Sequence, residues 1–386
     1  MKKKFVVIQN VPSPFRLHLF EVMQRQLAKR DIDFHVDFMS IKEAGRPDSW
    51  TKPDMPFSHT YWPTHGIGCH FFNPGMIWKI RRERPDYLLV SCTFDTFTSI
   101  AATWLCPAKV RCAWTEGNTK TTGDMHGIKG WVKRTVLSKY PYIAAPGKEG
   151  AAYVALHQSL TKRKMPKPLL LPNLIDERRF RPRKDWDPAL IASVRSSLGA
   201  HEDDRLCLIP ARLEWFKGLL EFAELLTPEM LKGWRIAIIG QGSLRGELER
   251  KLQNRGLADR FQICDFVSYA DMPQYYAAAD LFLLPSMMDR NPLSVVEALH
   301  SALPIALSDQ AGNVEEGVTD GENGWRLPVL DKTAYAAKLK DVFASDLTRL
   351  RKMGEISKTV NTKFWDSERA VAHFLDEMLA DDKKGE

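Results

Sequence analysis

The chain reads as an α/β protein of two doubly wound, parallel-sheet domains. Three observations predict this. Short apolar runs alternate with longer amphipathic ones, a basic, proline-rich passage interrupts that rhythm, and beyond it the rhythm restarts. The length of 386 residues exceeds one ordinary core at roughly 150 residues per domain, so two units fit. Hydrophobic residues make up 44% and charged residues 27%, a globular composition that excludes both a disordered chain and a membrane-embedded one.

In the first domain, residues 5–9 are expected as a strand, 17–29 as a helix and 34–38 as a second strand. Residues 42–73, rich in Pro, Gly, His and Trp, are expected to form a long surface loop and no element. Residues 74–84 and 96–105 read as helices; 87–92 and 110–115 read as strands, with 143–145 as the last strand of the domain. Prolines 166, 168 and 172 exclude a helix over 162–172, which is taken as the linker, and the first domain is drawn as 1–168. The second domain, 169–360, repeats the alternation: strands at 206–211, 235–239, 262–266, 281–284 and 304–307, helices at 219–226, 244–255, 272–278 and 294–301. Residues 361–386 are assigned a C-terminal helix, free to return to the first domain, and a polar tail; Trp365, Val371, Phe374, Leu375 and Met378 fall at helical spacing.

The basic start, Met1 to Lys4, precedes an apolar run too short for a signal-peptide core, and no segment reaches the roughly 20 apolar residues of a spanning helix. The protein is therefore expected to stay in the cytoplasm. Cys69, Cys92, Cys106, Cys112, Cys207 and Cys264 form no Cys-x-x-Cys pair, which fits reduced structural thiols. Lysine plus arginine exceed the acids by 55 to 48, giving +7 and a pI near 9.0. An anionic partner is favoured: phosphates, anionic lipid and nucleic acid all qualify.

Ligands of open α/β sheets bind beyond the carboxyl ends of the strands, so the loops there carry the chemistry. Arg212 and Lys217, in Ala211-Arg212-Leu213-Glu214-Trp215-Phe216-Lys217-Gly218, follow one strand and precede a helix. A guanidinium fork and an ammonium suit a diphosphate, both bound and departing. Gly240 and Gly242 flank Gln241 in a strand-to-helix turn of the kind that lets a backbone approach an anion. The third loop holds Asp289, Arg290, Asn291, Pro292, Leu293 and Ser294, with Glu297 one turn into the following helix. Two carboxylates so placed can accept from two sets of sugar hydroxyls, while free amides around Pro292 to Ser294 meet negative oxygens.

These loops in this order, with Ser308-Asp309-Gln310-Ala311-Gly312-Asn313-Val314-Glu315 and Gly321-Glu322-Asn323-Gly324-Trp325 after them, resemble family-four retaining glycosyltransferases (glycosyltransferase group 1). Pro172-Asn173-Leu174-Ile175-Asp176 resembles that family's linker, with Leu174 in place of glycine. The resemblance implies the GT-B fold, two Rossmann-like domains facing each other across a cleft, the first binding the acceptor and the second the nucleotide-sugar donor. It implies that Arg212 and Lys217 hold the donor diphosphate and that Gly240, Gly242, Val267, Asn291, Pro292, Leu293 and Ser294 line the donor site. Of the family's paired glutamates, the second is Glu297, implied on the ribose hydroxyls; the first is replaced by the shorter Asp289, implied on the transferred sugar. Arg290-Asn291-Pro292 stands where the glycine after the first acid is usual.

The first half resembles the family only loosely. Asn10-Val11-Pro12-Ser13-Pro14-Phe15-Arg16 fills the loop after the first strand; Pro14 and Arg16 are assigned to the acceptor or a phosphate, with a solvent-facing arginine as the alternative. Glu116 stands where many relatives place an active-site histidine, and His126 competes for the role. The implied reaction moves a sugar from a nucleotide diphosphate sugar, a UDP-sugar in preference to GDP-mannose, to a glycan or lipid-linked acceptor in bacterial surface polysaccharide (lipopolysaccharide or capsule) assembly. It proceeds with retention and without cofactor or metal, since Arg212, Lys217 and helix amides can neutralise the leaving group and no Asp-x-Asp cluster lies near these loops. A basic stretch with Lys129, Lys133, Arg134 and Lys139 among Ile128, Trp131, Val132, Val136 and Leu137 suits peripheral docking on an anionic leaflet or an ordinary solvated helix. A nucleotide-sugar epimerase of the same architecture is the nearest alternative. A nicotinamide dehydrogenase is disfavoured by Pro12-Ser13-Pro14 after the first strand, and a nucleic-acid-binding protein by the modest charge and the lack of a known motif, so no nucleic-acid partner is expected.

Overall fold

The structure, a computed structural model, describes residues 2–41, 55–65, 70–121 and 126–380. Cys69 and the polar tail from residue 381 lie outside the described residues, as does much of the expected loop at 42–73. Two compact units divide the chain: Met1–Ile175 with Asp366–Glu386, and Asp176–Trp365.

The first unit contains strands β1 (Lys3–Gln9), β2 (Ile32–Phe38), β3 (Ser58–Tyr61), β4 (Tyr87–Val90), β5 (Val110–Trp114), β6 (Tyr142–Ala145) and β7 (Lys167–Leu170). They form one parallel sheet in the order β3-β2-β1-β4-β5-β6-β7. Helices α1 (Pro14–Ala28), α2 (Pro74–Glu83), α3 (Phe97–Leu105), α4 (Gly127–Leu137) and α5 (Lys148–Ser159) make the connections. Phe5, Val6, Val7 and Ile8 of β1 are buried, as is all of β4, because helices cover both faces of a parallel sheet. The chain leaves β1 toward β2 and β3, then returns to lay β4 on the other side of β1. Strand order therefore reverses between β1 and β4.

Three expectations are corrected here. Residues 58–61, assigned to a loop, form the edge strand β3; Ser-His-Thr-Tyr has no apolar alternation, and its place comes from pairing with β2 and from Tyr61 stacking on Phe38 at 5.4 Å. Residues 143–145 are not the last strand, since β7 follows within the expected linker. Pro168 is tolerated there because β7 is an edge strand paired only to β6. The division consequently falls after Ile175, beyond the expected 168.

The second unit contains β8 (Arg205–Pro210), β9 (Trp234–Ile239), β10 (Phe261–Cys264), β11 (Leu281–Leu284), β12 (Ile305–Ser308) and β13 (Gly324–Leu327), parallel and ordered β10-β9-β8-β11-β12-β13. Its helices are α6 (Pro188–Ser197), α7 (Leu219–Leu225), α8 (Arg245–Asn254), α9 (Met272–Ala278), α10 (Leu293–His300), α11 (Val314–Gly317), α12 (Lys332–Phe343) and α13 (Leu347–Phe364). Here the order reverses between β8 and β11.

The final helix, α14 (Ser367–Leu379), belongs to the first unit, burying Val371, Phe374, Leu375 and Met378. His18 and Ser367 share a 3.1 Å hydrogen bond, and Arg25 pairs with Glu368 at 2.8 Å, which fixes α14 against α1. Trp365, expected on that helix, instead ends α13 and is buried in the second unit, because Asp366 caps a new helix start. Among the described residues no helix is long and apolar enough to cross a membrane.

Candidate active site

The second unit assembles its charged residues at its own switch point. The loop after β8 and the loop after β11 leave adjacent strands, and the Met288 amide donates to the Phe216 carbonyl at 3.1 Å, joining them. Gly218 begins α7 with φ of 66°, and an added Cβ would overlap the Pro285 carbonyl oxygen; glycine is required for the two loops to meet. Across this junction Lys217 Nζ donates to Asp289 Oδ2 at 2.5 Å, both side chains being 14% exposed. The Arg212 guanidinium lies 5.1 Å and the Lys217 ammonium 5.8 Å from the Phe216 ring centroid, so one aromatic ring neighbours both cations. Arg212 itself is exposed.

The Gly240–Gly242 turn closes on the first loop from the other side. A Cβ at Gly240 would overlap the Ala211 carbonyl and one at Gly242 the Leu213 carbonyl, while Leu213 donates to Gln241 at 3.0 Å. The Ser243 amide, near the start of α8, donates to Glu214 Oε1 at 3.1 Å, and its hydroxyl donates to the other oxygen at 3.0 Å. The two glycines thus shape the turn by packing, and Glu214 supplies the negative charge at this helix start. Val267 lies half-buried in the loop beyond β10.

The third loop enters α10 through Asn291 and Pro292, with Leu293 and Ser294 as the first helical residues. Asn313 Nδ2 donates to the Pro292 carbonyl at 2.9 Å and fixes that entry. Glu297 accepts a 2.6 Å hydrogen bond from the hydroxyl of Tyr276, which is buried in α9. Burial pushes the Glu297 carboxyl up to about 7, against the opposing pull of the Tyr276 hydrogen bond and the Arg179 charge. Arg179 in turn donates to the Tyr269 carbonyl at 2.8 Å and stacks on that ring at 4.4 Å. Asp289 and Glu297 therefore have separate partners: an ammonium for one, a phenol for the other. Tyr276, Tyr269, Arg179 and Asn313 are absent from the predicted site. Asn313 lies in the Ser308–Glu315 segment already singled out, whereas nothing in their spacing marks Tyr276, Tyr269 or Arg179.

In the first unit, Pro14 opens α1 and Arg16 sits in its first turn. Arg16 is only 6% exposed, which overturns the solvent-facing alternative. Its Nη2 donates to Glu116 Oε1, and its guanidinium stacks on Trp114 at 3.9 Å. The two residues assigned separately to acceptor binding and catalysis are thus one ion pair, spanning the loops after β1 and β5. His126 is exposed at the start of α4. On α4, Ile128 is 82% and Trp131 56% exposed, while Val136 and Leu137 are buried.

Residues 191–360 match the family described as glycosyl transferases, group 1. The chain is 24% identical over 205 residues to the putative glycosyltransferase EpsD of Bacillus subtilis (strain 168), covering 52% of this chain and 51% of that protein. It spans about half, or less, of the length of the first curated relatives it matches. Two similar solved structures are sucrose-phosphate synthase from Thermosynechococcus elongatus (TM-score 0.74, 13% identity, 100% of both chains) and Anabaena HepE in complex with UDP-glucose (TM-score 0.71, 15% identity, 98% of this chain and 99% of that one). At such identities the likeness establishes the fold. The second unit is a group 1 glycosyl transferase domain, in a chain of GT-B fold.

Proposed function

We propose that the chain transfers a sugar from a nucleoside diphosphate sugar to an acceptor, with retention at the anomeric carbon and without a divalent ion. The observation that carries this reading is the junction at the β8–β11 switch point, where Arg212 and Lys217 flank Phe216 and Lys217 pairs with Asp289. A diphosphate drawn to both cations exchanges the Lys217–Asp289 pair for charge-assisted bonds to phosphate and frees the Asp289 carboxylate for hydroxyls of the transferred sugar. Glu297 takes the ribose hydroxyls, and the start of α10 from Asn291 to Ser294 faces the phosphates. Val267 and the Gly240–Gly242 turn complete the donor pocket.

In the reaction the bond from anomeric carbon to phosphate oxygen breaks as a bond to the acceptor oxygen forms on the same face. The acceptor proton passes to the departing phosphate. Arg212 and Lys217 carry the charge that develops on the leaving group, which is the task of a metal in other enzymes. The first unit, with Pro14, Arg16 and Glu116, takes the acceptor.

A UDP-sugar is the first donor to try, since the similar HepE is solved with UDP-glucose. The acceptor is read as a glycan or lipid-linked glycan of bacterial surface polysaccharide, met on the inner face of the cytoplasmic membrane. The support is α4, whose exposed Ile128 and Trp131 stand beside Lys129 and Lys133. Incubation of radiolabelled UDP-, GDP- and ADP-sugars with lipid-linked and free glycans, in EDTA, tests this reading. Label moving to an acceptor supports it; conversion of the donor alone would point to an epimerase, and dependence on added Mg2+ would remove the metal-free step.

A further inference from the structure

The first unit holds a buried guanidinium that is only partly satisfied. Arg16 is 6% exposed and its Nη2 is taken by Glu116, but its Nη1 is buried without a hydrogen-bond partner among the described residues. Burial depresses its charged form, and the Glu116 carboxylate opposes that only in part. The indole beneath it, Trp114, is 2% exposed, and its Nε1 also lacks a partner among the described residues. Buried donors in native proteins are nearly always paired, so two orphans stacked on each other require a reason.

Their position supplies one. Gln9 ends β1, Cys92 follows β4 and Trp114 ends β5, so these groups crowd the carboxyl ends of three adjacent strands, at the point where strand order reverses. Crevices at such points are where open α/β sheets bind ligands. Cys92 adopts φ of 50°, a left-handed conformation uncommon for cysteine and of the kind that accumulates at ligand sites. Its thiol, pushed up to about 12 by burial, stays protonated and is no competing anion. The first turn of α1 carries no acidic residue, so its positive end adds to the guanidinium.

We propose that Arg16 Nη1 and Trp114 Nε1, at the ends of β1, β4 and β5, form an oxyanion subsite that receives a phosphoryl or carboxylate group of the acceptor. The proposal rests on the reading that the first unit takes the acceptor, and it adds that the acceptor is negatively charged. Glu116 is then a built-in competitor, holding the guanidinium until a second oxyanion arrives. An arginine that merely braced Glu116 would leave neither donor waiting.

The test follows the indole N–H resonance of Trp114, assigned with Trp114→Phe, in the full chain carrying Arg212→Ala and Lys217→Ala. Those two changes remove the two cations assigned to the donor diphosphate, and no nucleotide is added, so the outcome is independent of the donor reading. Inorganic phosphate and glucuronate are titrated separately. The proposal expects a saturable shift with at least one of them, tightened about tenfold by Glu116→Gln, since a like charge at this range is worth one or more powers of ten. Arg16→Gln abolishes the shift, and Arg16→Lys, which keeps the charge but loses the fork, weakens it; circular dichroism verifies that each variant is folded. Tighter binding of phosphate names a phosphorylated acceptor, and tighter binding of glucuronate an acidic sugar. The proposal is overturned if neither anion shifts Trp114, or if Glu116→Gln leaves the affinity unchanged.

Discussion

Donor binding should switch with the ionisation of Glu297. Burial pushes its carboxyl from the ordinary 4.5 up to about 7. The sign follows from linkage. The folded state holds the proton that the unfolded chain releases above 4.5, so the unliganded protein loses stability as pH rises from 4.5 through about 7. If Glu297 takes the ribose as proposed, the hydroxyls donate to the ionised carboxylate, so binding recruits the form that burial disfavours. With an acid titrating near 7, about nine-tenths is ionised at pH 8 and about one-tenth at pH 6, so the apparent Kd weakens about tenfold between them. Calorimetric titration with an intact UDP-sugar measures this, since its diester phosphates do not titrate in the interval. Tyr276→Phe removes a hydrogen bond that holds the acid down and should move the profile to higher pH; Glu297→Gln should flatten it. A wild-type profile as flat as that of Glu297→Gln refutes the assignment of Glu297 to the ribose.

Other consequences concern both units. Gly218→Ala places a Cβ on the Pro285 carbonyl oxygen at φ of 66° and should cost at least about 2 kcal/mol, read as a lowered urea midpoint. His157 is fully buried with both ring nitrogens unpartnered among the described residues, and burial lowers it to about 4. The unfolded chain therefore takes up a proton first as pH falls from 6.5 toward 4, and stability falls with it; His157→Gln should lessen that slope in urea melts, and an unchanged slope would exonerate the imidazole. Ile128→Ser with Trp131→Ser should reduce flotation with anionic liposomes while leaving UDP-sugar binding unaltered, and equal flotation would detach α4 from the membrane.

Much of this architecture was legible because parallel strands buried on both faces are continuous apolar runs, as in β1, β4 and β11, and because the loops after them carry the charges. The Arg212–Gly218 and Asp289–Glu297 segments could be picked out for that reason. What stayed hidden was held by pairing and not by pattern. β3 offers no apolar alternation, and β7 contains the proline that edge position permits. Lys217 and Asp289 are 72 residues apart, and Arg16 and Glu116 are 100 apart. No local spacing announces such pairs, which appear only when neighbouring strand ends are brought together. Tyr276 escaped similarly, since on a short buried helix its hydroxyl looks incidental until Glu297 is set against it.

The junction of Arg212, Lys217 and Asp289 is proposed to hold a nucleoside diphosphate without a metal. A thermal-shift panel of UDP, GDP, ADP and their sugars, with and without EDTA, on the wild type and on Lys217→Ala, tests it most directly. Stabilisation by one nucleotide class that survives EDTA and disappears in Lys217→Ala is the predicted result. No response to any nucleotide, or a response that EDTA abolishes, would contradict the claim.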